Sequence, residues 1–251
     1  MPAITGDHMT RRLLATTLKI AAFSTLSLDA TPAARPASNV AHQAVGGAAT
    51  FYFDQLSFEK ALYDPAALAE EDFDEVPELF EGCDEPVNSK SNDHCFEPGM
   101  LIPGFDLTST SGEGIVLIPA GFFGDNQTTS VMGAIAFADD TFLRLAPPVT
   151  AASTMVIGDL TGDATTTDTV SIEVFDADGI SLGATSVTPT AIDEAAFFGV
   201  ISSTPIARIV YSGDAGGAEL IDTLRFGPAE QVQERVFCDG FDGSSPTCPN
   251  L

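Results

Sequence analysis

The chain has no tryptophan, three tyrosines and three histidines among its 251 residues. Aromatic platforms of the kind that stack on a pyranose ring are therefore scarce. His8 and His42 lie in the N-terminal region, so His94 is the one histidine left further along, and imidazole-based nucleophilic catalysis lacks support. No Gly-x-Ser-x-Gly elbow, His-Glu-x-x-His pair or phosphate-cradling glycine loop occurs either. Positive charge is equally short: Lys and Arg total 10 against 36 Asp and Glu, for a formal net charge of -26. So acidic a surface repels nucleic acid and anionic lipid and favours divalent cations. Beyond the N-terminal leader no segment approaches the ~18 uninterrupted apolar residues of a membrane span. Neither nucleic acid nor, once the leader is cleaved, a membrane is expected as a partner.

What is present begins with that leader. Thr10-Arg11-Arg12 precedes an apolar run over 13–28, interrupted by Lys19, and small-residue cleavage options follow at Ala30 and Ala37. A basic start, a short apolar stretch and small residues describe a secretory signal, assigned here to 1–37, with Met9 an alternative start. The expected location is extracellular or periplasmic. Residues 38–49 are rich in Ala and Gly and read as a linker. The four cysteines form two close pairs, Cys83 with Cys95 and Cys238 with Cys248. Three connectivities exist; the sequential one closes two short loops and suits an oxidising compartment. Their spacings do not match the Cys-x-x-Cys of a zinc site.

From residue 50 the pattern is mainly of period two. Thr50–Phe53 has strand propensity, and Leu56, Ala61 and Leu62 then fall near one face of a short helix expected over 55–63. Residues 70–85 crowd nine acids around Phe73, Val76, Leu79 and Phe80, which reads first as a solvated acidic face and second as part of a cation site. Strands are expected at 102–107, 115–117, 131–137, 142–145, 154–160 and 169–175, each bounded by turn residues. Asp176-Ala177-Asp178-Gly179 marks a hairpin, because glycine enters the positive-φ region where a side chain would clash. Its partner strand is 180–187, and the apolar block Ala195–Phe226 reads as three closing strands with a single acid, Asp222, in the last. With 44% hydrophobic residues for a core and no βαβ alternation, the fold expected over 50–227 is all-β: an antiparallel jelly-roll β-sandwich with one short N-terminal helix. Residues 228–251 are expected to be a disulfide-closed C-terminal tail.

Several of these segments together carry a resemblance. Leu56–Leu62, Glu71-Asp72-Phe73-Asp74, Thr150–Ser153, Asp176–Gly179, Phe197–Val200 and Ile221–Phe226, in that order, resemble the jelly-roll domain of exported bacterial proteins that often carry a PEP-CTERM sorting tail. The last residues hold no PEP motif, apolar span or basic finish, so anchoring of that kind is not expected. Instead Phe237-Cys238-Asp239-Gly240-Phe241-Asp242 is similar to the Asp-Gly-Phe-Glu tails that end many secreted proteobacterial proteins. The jelly roll is shared with carbohydrate-binding modules, in which a carboxylate near the first strand and an aspartate on the last often hold a structural calcium. By position the resemblance implies Asp74 or Asp72, together with Asp222, as ligands, and calcium suits them as a hard cation taking six to eight oxygens. The competing reading has Asp222 capping a turn or pairing with Arg208 or Arg225.

No catalytic residue and no organic cofactor is expected. With so many acids some carboxylate pair will always lie close, which makes that signal uninformative for glycoside hydrolysis. The functional expectation is a secreted non-catalytic β-sandwich with a structural or surface-associated role, stabilised by calcium. A carbohydrate-binding module is the alternative, with Tyr52 and Tyr211 as candidate sugar platforms and an extracellular glycan or surface component as partner. A carboxylate-based glycan hydrolase ranks third.

Overall fold

The computed structural model describes residues 48–73, 81–125, 127–136, 138–158, 168–190, 194–213 and 217–229, with the backbone alone at 42, 43 and 81. The signal region, the tail with Cys238 and Cys248, and Asp74 lie outside the described residues. The elements in chain order are β1 (His42–Gln43), β2 (Ala49–Tyr52), α1 (Gln55–Ala61), β3 (Ala69–Glu71), β4 (Glu81–Cys83) and β5 (Phe105–Ser109). They continue as β6 (Ile115–Ile118), β7 (Val131–Ala134), β8 (Thr141–Gly158), β9 (Val170–Phe175), β10 (Ser181–Val187), β11 (Ala196–Gly213) and β12 (Glu219–Gly227). Every strand pairing is antiparallel.

Two strands organise the whole molecule. The segments 142–145 and 154–160, expected as separate strands, are parts of one 18-residue strand, β8. Likewise the block Ala195–Phe226 forms two strands, not three, because β11 runs unbroken for 18 residues before β12. Pro147 and Pro148 in β8, and Pro205 in β11, lack an N–H to offer the ladder. Pairing between the two strands slips there, from Ile201↔Ala151 through Ile206↔Val149 to Arg208↔Arg144, and the two slips offset one another. The chain thus stays extended while its neighbours change. On one side of the break lies the order β1, β2, β11, β8, β12, with β3 and β7 both along β12, then β6 and β4. On the other side lies β10, β9, β11, β8, β5. Within the stretch expected as linker, the backbone of His42–Gln43 pairs with β2. Strand β7 ends at Ala134, short of the expected residue 137.

The two layers face each other across one core, which makes the fold a jelly-roll β-sandwich. Phe198 bridges it, with Phe51 at 6.1 Å on its own layer and Tyr211 at 6.3 Å on the other. A second aromatic chain runs Phe73, Phe105, Phe226 at 6.2 Å and 6.1 Å. The fully buried Tyr211 pairs its hydroxyl with Thr154 Oγ1 at 3.1 Å, and burial pushes its phenol far up from the ordinary value.

The layers differ on their outer sides. The first is covered: α1 starts where the Asp54 carboxylate accepts from Ser57 N at 2.8 Å, ends at the extended Leu62, and buries Phe58 against Tyr52 and Phe197 at 5.8 Å and 5.7 Å. Next to that contact, Val116, Ile118, Val131, Ile157 and Leu220 form another outer cluster. Residues 151–154 of β8 are accordingly buried on both faces. The second layer is not covered in this way. Residues 141–145 alternate, Thr141, Leu143 and Leu145 buried with Phe142 and Arg144 turned out, and β9 does the same.

Candidate functional site

Asp222 sits on β12 with 6% of its surface exposed and points away from the core occupied by Ile221 and Leu224. Its Oδ1 accepts from Thr223 Oγ1 at 2.8 Å, and its Oδ2 accepts from Thr129 Oγ1. The two arginines considered for it have other neighbours. Arg225 holds Glu59 at 2.8 Å and Glu70 at 3.2 Å, while Arg208 belongs to the other layer. At Asp222 the chain bulges: Thr223 and Leu224 together span the step from Met155 to Ser153, with Thr223 at φ 45°. A positive φ on a β-branched residue is a strained conformation held by its surroundings. Asp222 lines a partly open cavity of about 330 Å³ together with Gln127, Thr129, Met155, Ile157 and Glu194.

The last strand meets β3, with Glu71 the register partner of Leu224, while β1 pairs with β2 and β2 with β11 instead. Asp72 follows directly and is exposed. Glu71 is the buried acid among the described residues of that run, its Oε1 accepting from Phe73 N at 3.1 Å and its Oε2 from Ile102 N at 2.9 Å. Period-two counting back from Phe73 would have separated Glu71 from its solvated neighbours. Among the described residues no three carboxylate, thiolate or imidazole groups converge as a metal site requires.

Cys83 and Cys95 form a disulfide with Cα atoms 5.7 Å apart. The loop it closes is ordered by Asp93, whose Oδ1 accepts from Cys95 N and Phe96 N and whose Oδ2 accepts from Asp84 N. Of the two tyrosines considered for sugar contact, one is ruled out as a platform. Tyr211 is fully buried in the core, and Tyr52 is half-buried with its ring edge-on to Phe58.

The outward side of the second layer is where chemistry gathers instead. Arg208 of β11 is directly opposite Arg144 of β8 and, on its other side, Phe175 of β9. Asp106 of β5 lies opposite Arg144 and accepts from Asn88 Nδ2 at 2.8 Å. The Arg208 guanidinium lies 4.4 Å from the centre of the Phe175 ring and 5.9 Å from that of Phe142. Its Nε is buried and has no hydrogen-bond partner among the described residues. Glu173 and Val210 fill the next row. Among the described residues no apolar cluster lies over this face. The alternation of 141–145 and 170–175 already turns Phe142, Arg144, Glu173 and Phe175 one way; it carries no sign that Arg208 would stand between them. A guanidinium stacked on aromatic faces keeps its edge donors in a fixed plane, and half-exposed rings supply flat apolar contact.

Fold and site together define an antiparallel β-sandwich with one covered sheet and one open sheet bearing aromatic rings and cations. No family model matches the sequence, and no curated protein matches it. Among solved structures, two variants of a family 29 carbohydrate-binding module, complexed with cellulohexaose and with mannohexaose, each align at 13% identity and TM-score 0.33. They cover 60% and 61% of this chain and 93% and 94% of their own. The enzymatically active domain of bacteriophage CBA120 tailspike protein 4 aligns at 14% identity and TM-score 0.28, over 49% of this chain and 19% of its own. Superpositions this loose add nothing to the strand pairing above. Among the described residues no helix is long and apolar enough to cross a membrane.

Proposed function

We propose that this chain is an exported, non-catalytic β-sandwich that binds glycan on the open face of its second sheet. The observation that carries the reading is the Arg208 guanidinium, held over the Phe175 ring beside Arg144 on a face that no apolar cluster of the described residues covers. The guanidinium's terminal N–H groups and the flanking rings offer a ligand charge-assisted hydrogen bonds and flat apolar contact together. Export is supported by the basic-apolar-small N-terminal pattern, the acidic composition and the Cys83–Cys95 disulfide. The order of the PEP-CTERM-like segments belongs to the same proposal. The purely structural reading ranks below this one because it leaves the face of Arg144, Arg208 and Phe175 without a purpose.

A glycan array probed with the purified chain and with Phe175→Ala tests the reading. Removing the ring frees the guanidinium and takes away flat contact, so bound signal is expected to fall by roughly tenfold, since a cation–π contact and its associated packing contribute on the order of 1–2 kcal/mol. An array without reproducible binding would overturn it.

The calcium expectation stays with the covered sheet and is structural. Its support is the meeting of β3 with β12 and the bulge beside Asp222. Calcium is expected to raise the thermal midpoint, and Asp222→Ala to abolish that rise. A midpoint equal with calcium and with chelator would remove calcium from the account.

A further inference from the structure

We infer that the saccharide recognised on the open face is an acidic one, carrying carboxylate groups as a uronic-acid oligomer does. This rests on the glycan reading above and narrows it. Of ten Lys and Arg in the chain, five fall among the described residues, and two of these, Arg144 and Arg208, are direct cross-strand partners on one face. Like charges directly opposite each other destabilise a sheet. In a chain of net charge -26 that pair had many acids available to neutralise it. Neither arginine makes an ion pair with Asp106 or Glu173, the acids on the same face, although Asp106 is Arg144's register partner. Two cations side by side, neither held in an ion pair among the described residues, therefore favour an anionic visitor over a stabilising role.

The geometry then narrows the anion. A guanidinium is planar and carries parallel donors that match the two oxygens of a carboxylate. Stacking on Phe175 fixes that plane, and the half-exposed Phe142 and Phe175 rings give apolar contact of the size of a sugar ring. The long-range field of so acidic a protein repels polyanions. Recognition of an acidic saccharide consequently needs cations at the contact itself, which this pair supplies.

The test compares a galacturonate hexamer, its methyl ester and a hexaglutamate peptide by calorimetry on the full chain. The free uronate is expected to bind, with the ester and the peptide each at least tenfold weaker. Arg208→Lys keeps the charge and loses the planar pair of donors, so uronate affinity is expected to fall about tenfold, the scale of one lost charge-assisted contact. Arg144→Gln, at an exposed position, is expected to weaken it several-fold without lowering the melting temperature, since it relieves the like-charge pair. Ester and acid binding equally well, with Arg208→Lys unaffected, overturns the acidic assignment and leaves glycan binding standing. Binding of hexaglutamate as tight as that of the uronate overturns the saccharide assignment. If neither sugar binds here, and the array is blank as well, both readings fall.

Discussion

Gly133→Ala is expected to lower the stability of the fold by about 3 kcal/mol or more, the upper range for forced overpacking. A Cβ on Gly133 would stand 2.2 Å from the backbone oxygen of Glu219 and 2.8 Å from Leu220 Cδ2. The first of these atoms cannot rotate away, because it belongs to the neighbouring strand and Gly133 is the register partner of Leu220. Relief requires β7 and β12 to separate. Met132 and Ile221, paired next in the ladder and both buried, would then lose contact with each other. Urea unfolding followed by circular dichroism measures the effect. A midpoint within about 0.5 kcal/mol of the parent, the usual range for a harmless surface change, would show that these strands do not approach so closely.

The same close approach sets up the second large effect, a loss of stability as pH rises from about 4.5 to about 8. Glu219 is 1% exposed, with Thr141 Oγ1 donating to its Oε1 at 3.0 Å and Gly213 N donating to its Oε2 at 3.1 Å. Burial pushes its carboxyl up to about 8, with a smaller push from the nearby Asp140, and this outweighs the hydrogen bonds that favour the charged form. The unfolded chain ionises the same group near the ordinary carboxylate value. The folded state therefore holds a proton that the unfolded state has released, and its stabilising contribution is complete below the unfolded value and gone above the folded one. At about 1.4 kcal/mol per unit the loss amounts to several kcal/mol. Thermal midpoints across this window are expected to slope downward in the parent and much less in Glu219→Gln. Equal slopes in the two proteins would mean that Glu219 is not the titrating group.

Local chemistry was legible where it depends on near neighbours along the chain. The short helix after residue 54, the turn at Gly179 with φ 78°, and the alternation of 170–175 all follow from spacing and side-chain type. The sequential Cys83–Cys95 bridge is of the same kind. The reading failed where one long strand was expected as two, around Pro147-Pro148 in β8 and Pro205 in β11. Pro147, Pro148 and Pro205 do break the ladder, yet the backbone runs on extended, because at the crossing of two sheets the missing N–H groups fall where strands exchange partners.

The candidate site shows the same division. Asp222 drew notice as an odd acid in an apolar strand, and it is indeed buried, held by Thr129 and Thr223. Tyr52 and Tyr211 were singled out as the scarce aromatics, but period-two spacing says only that a residue shares a face with those two positions away. It does not say whether that face looks into the core. Composition and alternation by themselves determined an acidic, antiparallel, all-β chain with one short helix and a sequential disulfide. Only the tertiary structure decided that Arg208 meets Arg144 and Phe175, and that Glu219 loses water. Both depend on which distant strands pair and in what register, and that is settled by the packing of the whole core.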